Sequence, residues 1–116
     1  MDNTSAKMER VLGKITKAEY GTDKDYPFLF GLQLSFSLAN GGSVSSGIEY
    51  MVNVSKDCKW ENDAEKLKAF HREAIGVAHL LKDAKVNLVS QLVGKPVEVI
   101  IVGRRFDTFR ILTEVL

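Results

Sequence analysis

The sequence predicts an α+β fold: an antiparallel β-sheet of about five strands, formed by two hairpins plus an N-terminal strand, packed against one main α-helix and a short second helix. Three observations carry this. Residues 28–38, FLFGLQLSFSL, set Phe28, Phe30, Leu32, Leu34, Phe36 and Leu38 against Leu29, Gly31, Gln33, Ser35 and Ser37, which is the period of a strand with one buried face. Residues 64–83 change period, with Leu67, Phe70, Ala74, Val77, Ala78 and Leu81 spaced by threes and fours. Near the C-terminus, VEVIIV and FDTFRILTEV flank Gly-Arg-Arg and read as a second hairpin.

Residues 1–7 are polar and are expected to be disordered, which leaves 8–116 as a single domain. Val11, Leu12, Ile15 and Thr16 predict a first strand over about 11–20. GTDKDYP, at 21–27, is a loop. Asn40-Gly41 after the long alternating strand is a turn pair whose residues both accept positive φ. The chain then returns with Ile48, Tyr50, Val52 and Val54 alternating, and Gly47 marks a bulge or a close approach. Asn62 caps the main helix, with Glu65 three residues on as in a capping box, and Glu65, Lys66, Lys68, Arg72, Glu73 and Lys82 form its solvated face. VNLVSQLVGKP reads as a short second helical turn, capped by Asn87, with Gly94 in the left-handed position and Pro96 barring continuation. Val97, Val99 and Ile101 face one way and Ile100 and Val102 the other, so this strand is expected to be covered on both sides. In the last strand Phe109, Ile111, Thr113 and Val115 share a face.

Sixteen basic and fifteen acidic side chains give a net charge of +1, which supplies no bulk attraction to nucleic acid or to an anionic membrane. The polar start MDNTSAKMER has no apolar run of the kind a signal peptide needs, and no run approaches the ~20 residues of a membrane span. One cysteine, Cys58, excludes an internal disulfide and fits a reducing compartment. The expected location is cytoplasmic, with no membrane partner.

Little in the chain points to catalysis. His71 and His79 are eight residues apart on the predicted helix, roughly 12 Å along its axis, too far to share one metal ion. Cys58 with either histidine would make a nucleophile pair, but a structural cysteine at a loop–helix junction is the commoner arrangement. The carboxylates are scattered and read as a solvated face or as ion-pair partners. No phosphate-loop or dinucleotide fingerprint occurs, and no cofactor or metal is expected. Two features remain as candidate ligand- or partner-binding sites. Asn40, Gly41, Gly42 and Ser43 lie in a Gly-Ser turn whose backbone N–H groups can cradle an anion, or which simply turns the hairpin. Arg104, Arg105 and Arg110, with Lys95 leading into the same hairpin, stand beside Phe106 and Phe109. Guanidinium with aromatic rings is a way of holding phosphates and bases; the alternative reading is charge that protects an edge strand.

From His79 onward the chain resembles a family of short proteins encoded by phages and prophages, through the pattern LLKDAKV…GKPVEV…RILTEVL. The resemblance is close over about the last forty residues and extends to the layout alone over the first fifty. Members carry a tryptophan- and glycine-rich stretch after the first hairpin strand, where this chain has NGGSVSSGIEY, so a ligand held by that tryptophan would be bound differently here. The family has no assigned activity. By analogy with phage proteins of this size, the resemblance implies a non-enzymatic accessory protein that binds stoichiometrically. Its partner would be a host-defence protein, as in anti-CRISPR action, or a nucleotide signal that it sequesters. A nucleic-acid-binding module using the arginine hairpin is the alternative. The apolar face of the long strand exceeds what one helix covers, which predicts a homodimer or higher homo-oligomer.

Overall fold

The computed structural model describes residues 7–47 and 50–116. Its elements are β1 (Met8–Thr22), β2 (Leu29–Leu38), β3 (Ser43–Ser45), β4 (Met51–Asn53), α1 (Asp63–Asp83), a 3₁₀ turn at Val89–Leu92, β5 (Pro96–Val102), β6 (Arg105–Ile111) and a closing 3₁₀ turn at Thr113–Val115. The sheet runs β3-β2-β1-β5-β6, with β4 on the same side of β2 as β3, and every pairing is antiparallel. The expected α+β architecture is therefore present. The disorder expected for the first residues falls, except at Lys7, outside the described residues, as does the expected inward role of Ile48.

The core lies between one sheet face and α1. Ile15, Leu32, Leu34, Phe36, Val97, Val99, Ile101, Phe109 and Ile111 come from the strands, Val77, Leu80 and Ala84 from the helix end, and Leu92 from the first 3₁₀ turn. The sheet curls strongly. The rings of Phe36 on β2 and Phe106 on β6 stack with centroids 5.6 Å apart. Three flat strand spacings would separate those strands by about 14 Å. Phe109 completes the cluster, 4.8 Å from Phe36 and 6.1 Å from Tyr50. Full burial of a ring such as Phe36 is worth on the order of 2–3 kcal/mol.

The first hairpin departs from expectation at its turn. Only Gly41 takes positive φ (94°), and Leu38 donates to the Gly42 carbonyl while accepting from Gly41, so the loop is three residues rather than a two-residue Asn-Gly turn. Asn40 accepts from the Gly42 N–H instead, closing an Asx turn. The returning strand is split. Its register advances by two residues between Phe36↔Val44 and Phe30↔Val52. Buried Ser46 bridges the break: its N–H donates to the Leu34 carbonyl and its Oγ accepts from the Leu34 N–H.

Asn62 caps α1 as expected, its Oδ1 accepting from Glu65 N at 2.9 Å. The helix is rotated from its expected orientation. Phe70, Val77 and Leu81 face inward, but Leu67, Ala74 and Ala78 are exposed, and Glu73, expected in solvent, is half-buried. Two contacts set this rotation: the Tyr50 ring packs against Gly76, and the Tyr20 hydroxyl donates to Glu73 at 2.8 Å. The helix ends in a Schellman motif, with Lys85 at φ 59° and the Val86 N–H reaching back to the Leu81 carbonyl.

The second helical segment is a 3₁₀ turn, and Asn87 does not cap it. Gln91 Oε1 accepts instead from the N–H groups of Asn87 and Leu88. Gly94 takes the expected positive φ. Ile100 and Val102 are half-buried beside their sheet neighbours, and among the described elements no layer covers that face. β6 stops at Ile111, so Thr113 and Val115 belong to the closing turn.

Candidate functional site

The residues singled out in the sequence do not converge. Arg104 and Arg105 sit at the β5–β6 tip, where Gly103 (φ 57°) and Arg104 (φ 68°) form the two left-handed positions of a type I′ turn. Neither arginine side chain has a hydrogen bond or ion pair among the described residues. Lys95 lies at the opposite end of β5, roughly 23 Å from that tip at ~3.3 Å per residue. Asn40–Ser43 lie across β1 from the arginine tip. Ala39 binds the Leu12 carbonyl, whereas Gly103 binds that of Lys7, an offset of about 16 Å along β1.

Arg110 is committed within the fold. Its Nε donates to Glu98 Oε1 at 3.1 Å, and Nη1 and Nη2 grip both oxygens of Glu114 at 3.0 Å. Glu98 also accepts from Arg10 at 3.4 Å. This ladder ties β1, β5, β6 and the closing turn together on the open sheet face. The Arg110 guanidinium, by hydrogen bonding, holds the Glu114 carboxyl below its ordinary value.

The groups weighed for catalysis are also dispersed. Cys58 is half-buried in the loop before α1, its N–H donating to Ser55. His71 lies on the outer face of α1 beside Ala64, Leu67 and Lys68. Among the described residues no three His, Cys, Asp or Glu side chains gather as metal ligands.

What the structure brings together lies elsewhere. The seam between α1 and the sheet is closed at the C-terminal end of the helix, by Val77, Leu80 and Ala84, and open at the N-terminal end. There a cleft of about 490 Å³ is lined by Leu29, Tyr50, Met51, Asn53, Trp60, Ala69, Arg72, Glu73 and Gly76. A smaller apolar hollow of about 270 Å³, under Phe30, Val54 and Phe70, shares Val52 and Glu73 with it.

Trp60 is held edge-on to Phe70 at 6.3 Å. Glu73 is occupied by Tyr20, whose hydroxyl is pushed up to about 12 by burial and then by the Glu73 carboxylate, so it remains a donor. Arg72 has no ion pair or side-chain hydrogen bond among the described residues and lines the cleft together with Tyr50 and Trp60. Sequence reasoning missed this site. It placed Arg72 and Glu73 on a solvated face and passed over Trp60, although the sole tryptophan in a loop before a helix was the available signal.

Compared with known proteins, the chain matches no family model, no curated protein and no solved structure. No helix of the described residues is long and apolar enough to cross a membrane.

Proposed function

We propose that this protein acts by stoichiometric binding rather than turnover, as a phage or prophage accessory protein in the cytoplasm of a bacterial host, and that it engages a host-defence protein through the cleft between β4 and α1. The observation that carries this reading is the cleft itself. Its volume lies in the range of ligand sites, its walls are largely apolar and aromatic, and one unpartnered guanidinium supplies direction. The phage connection rests on the resemblance in the C-terminal forty residues, and the defence target on analogy with phage proteins of this size.

Aromatic rings with a guanidinium also suit a sequestered nucleotide, and native mass spectrometry separates the two. The protein purified from a bacterial host is weighed before and after denaturation. A partner protein that co-purifies stoichiometrically and is lost on Trp60→Ala supports the proposal. A co-purifying nucleotide-sized mass moves the assignment to a sequestered signal, and a partner retained by Trp60→Ala removes the cleft from the function. The nucleic-acid reading has its own support in the unpartnered Arg104 and Arg105 at an exposed tip. It requires DNA affinity that falls steeply with salt and is lost on their joint replacement by alanine.

Self-association belongs to the same proposal. Ala64, Leu67, His71, Ala74 and Ala78 repeat at the three-four spacing of a helix-pairing seam on the exposed side of α1, with Leu67 68% exposed. Two antiparallel copies of this helix would set Asp63 and Glu65 of one against Lys82 of the other. Light scattering should show a dimer that Leu67→Glu converts to a monomer; a monomeric parent protein at high concentration removes the dimer.

A further inference from the structure

We infer that the occupant of the cleft is an extended segment of the partner, added as an antiparallel strand to β4, with an acidic side chain held by Arg72. This rests on the binding role assigned to the cleft above and specifies its chemistry.

The backbone supplies the first argument. Val54 donates to the Phe28 carbonyl and Tyr50 accepts from the Leu32 N–H, so the even-numbered residues of this strand exchange bonds with β2. Antiparallel pairing alternates, and Met51 and Asn53 therefore direct their N–H and C=O groups away from β2. Among the described residues β4 pairs with no other strand. Two donors and two acceptors stand along the cleft at a two-residue repeat, which is the pattern an added strand satisfies.

The other free edge of the sheet is defended against such pairing. β6 carries a bulge opposite Ile100/Ile101, and Arg105, Asp107 and Arg110 lie along it. Bulges and charges, with shortness of the strand, are devices that keep strands from adding to an edge. β4 is three residues long but carries neither bulge nor charge: Met51, Val52 and Asn53 are uncharged and their register with β2 is unbroken.

Charge supplies the third argument. Of the two ionic groups in the cleft, Glu73 keeps its charge but has an acceptor oxygen engaged by Tyr20, whereas the Arg72 guanidinium has no partner among the described residues and so offers all its donors. A carboxylate on the incoming strand meets a fork of donors, and its apolar neighbours meet Trp60, Met51 and Ala69.

The test is a library of displayed random heptapeptides panned against the whole protein, followed by synthesis of the enriched sequence. The expected product is an extended, β-prone peptide with one Asp or Glu among apolar residues. Its affinity should fall about tenfold on Arg72→Ala and only partly on Arg72→Lys, with thermal unfolding unchanged. N-methylation of the peptide backbone should abolish binding at alternate residues and be tolerated between them. Enrichment without an acidic residue, methylation effects lacking alternation, or no enrichment at all would overturn the inference. If, in addition, the natural partner is lost on Trp60→Ala but not on Arg72→Ala, the cleft keeps its role and only the strand model is lost.

Discussion

At the β6 edge, Arg110 grips Glu114 with two nitrogens and Glu98 with a third, and Arg10 joins from β1. At the β4 edge, three residues hold on to β2 beyond a break in the strand, and the nearest guanidinium, Arg72, grips nothing described. Both regions border one curled sheet over one core. Charges at the first edge are satisfied by one another and fasten the chain's end. The second edge leaves a guanidinium, and the outward backbone groups of β4, without partners among the described residues, beside an aromatic wall. Unspent groups gathered in a cleft are a better guide to binding than the number of arginines in a segment, because a paired arginine must give up its own carboxylates before it can take a ligand's.

The largest effect should come from breaking the attachment of the β4 edge. Gly31 has φ 153°, and a Cβ there would overlap the Tyr50 carbonyl oxygen, which accepts from the Leu32 N–H. Gly31→Val should therefore lower stability by about 3 kcal/mol and push β4 off β2. Urea unfolding followed by Trp60 fluorescence measures this; a loss below about 1 kcal/mol would mean that the close approach at Tyr50 is not rigid.

The matching test of the β6 edge is smaller. Glu98 bridges two arginines with its side chain only 16% exposed, whereas Lys17 and Glu19 form an isolated pair on open surface. Glu98→Ala should cost about 1 kcal/mol and Lys17→Ala close to nothing. Equal costs in denaturant midpoints would show that the ladder is not cooperative.

Acid sharpens the same contrast. The Glu114 carboxyl is lowered in the fold, so the stability it contributes is present above its unfolded value and is lost as pH falls through the lower folded one. The gap between the parent protein and Glu114→Gln should be open above about pH 5 and close on acidification. A gap independent of pH would remove Arg110–Glu114 as its source.

The two regions also differ in how far the sequence disclosed them. Period-two alternation locates β2, groups Val97, Val99 and Ile101 on one face and puts Phe109 with Ile111, because shared faces follow directly from strand geometry; that these are the buried faces is what the structure adds. Asn62 was read as a cap because capping is local chemistry. The cleft was not legible, since it depends on the rotation of α1. The expected stripe mixed inward Phe70, Val77 and Leu81 with outward Leu67, Ala74 and Ala78, as spacings of three and four fit both faces of a helix with apolar residues on each. The contacts that decide between the faces, Tyr50 on Gly76 and Tyr20 on Glu73, join residues far apart in the chain. Gly47, read as a bulge or close approach, takes φ 65° within the break between β3 and β4, whereas the left-handed Lys85 is silent because it stands where a glycine is expected.

The smallest effect concerns the arginine tip. Arg104 holds φ 68° in a turn position that asparagine and glycine occupy more easily, while Gly103 beside it already meets the requirement. Arg104→Asn should raise stability by about 0.5 kcal/mol, read as a small upward shift in thermal midpoint. The binding measurement on the same variant then compares the two regions directly. If affinity for the natural partner is unchanged while stability rises, the arginine serves solubility and edge protection, and recognition lies with Trp60 and Arg72. If affinity falls as stability rises, the strain at this tip is retained for contact with the partner, and the binding surface extends beyond the cleft to the far end of β5 and β6.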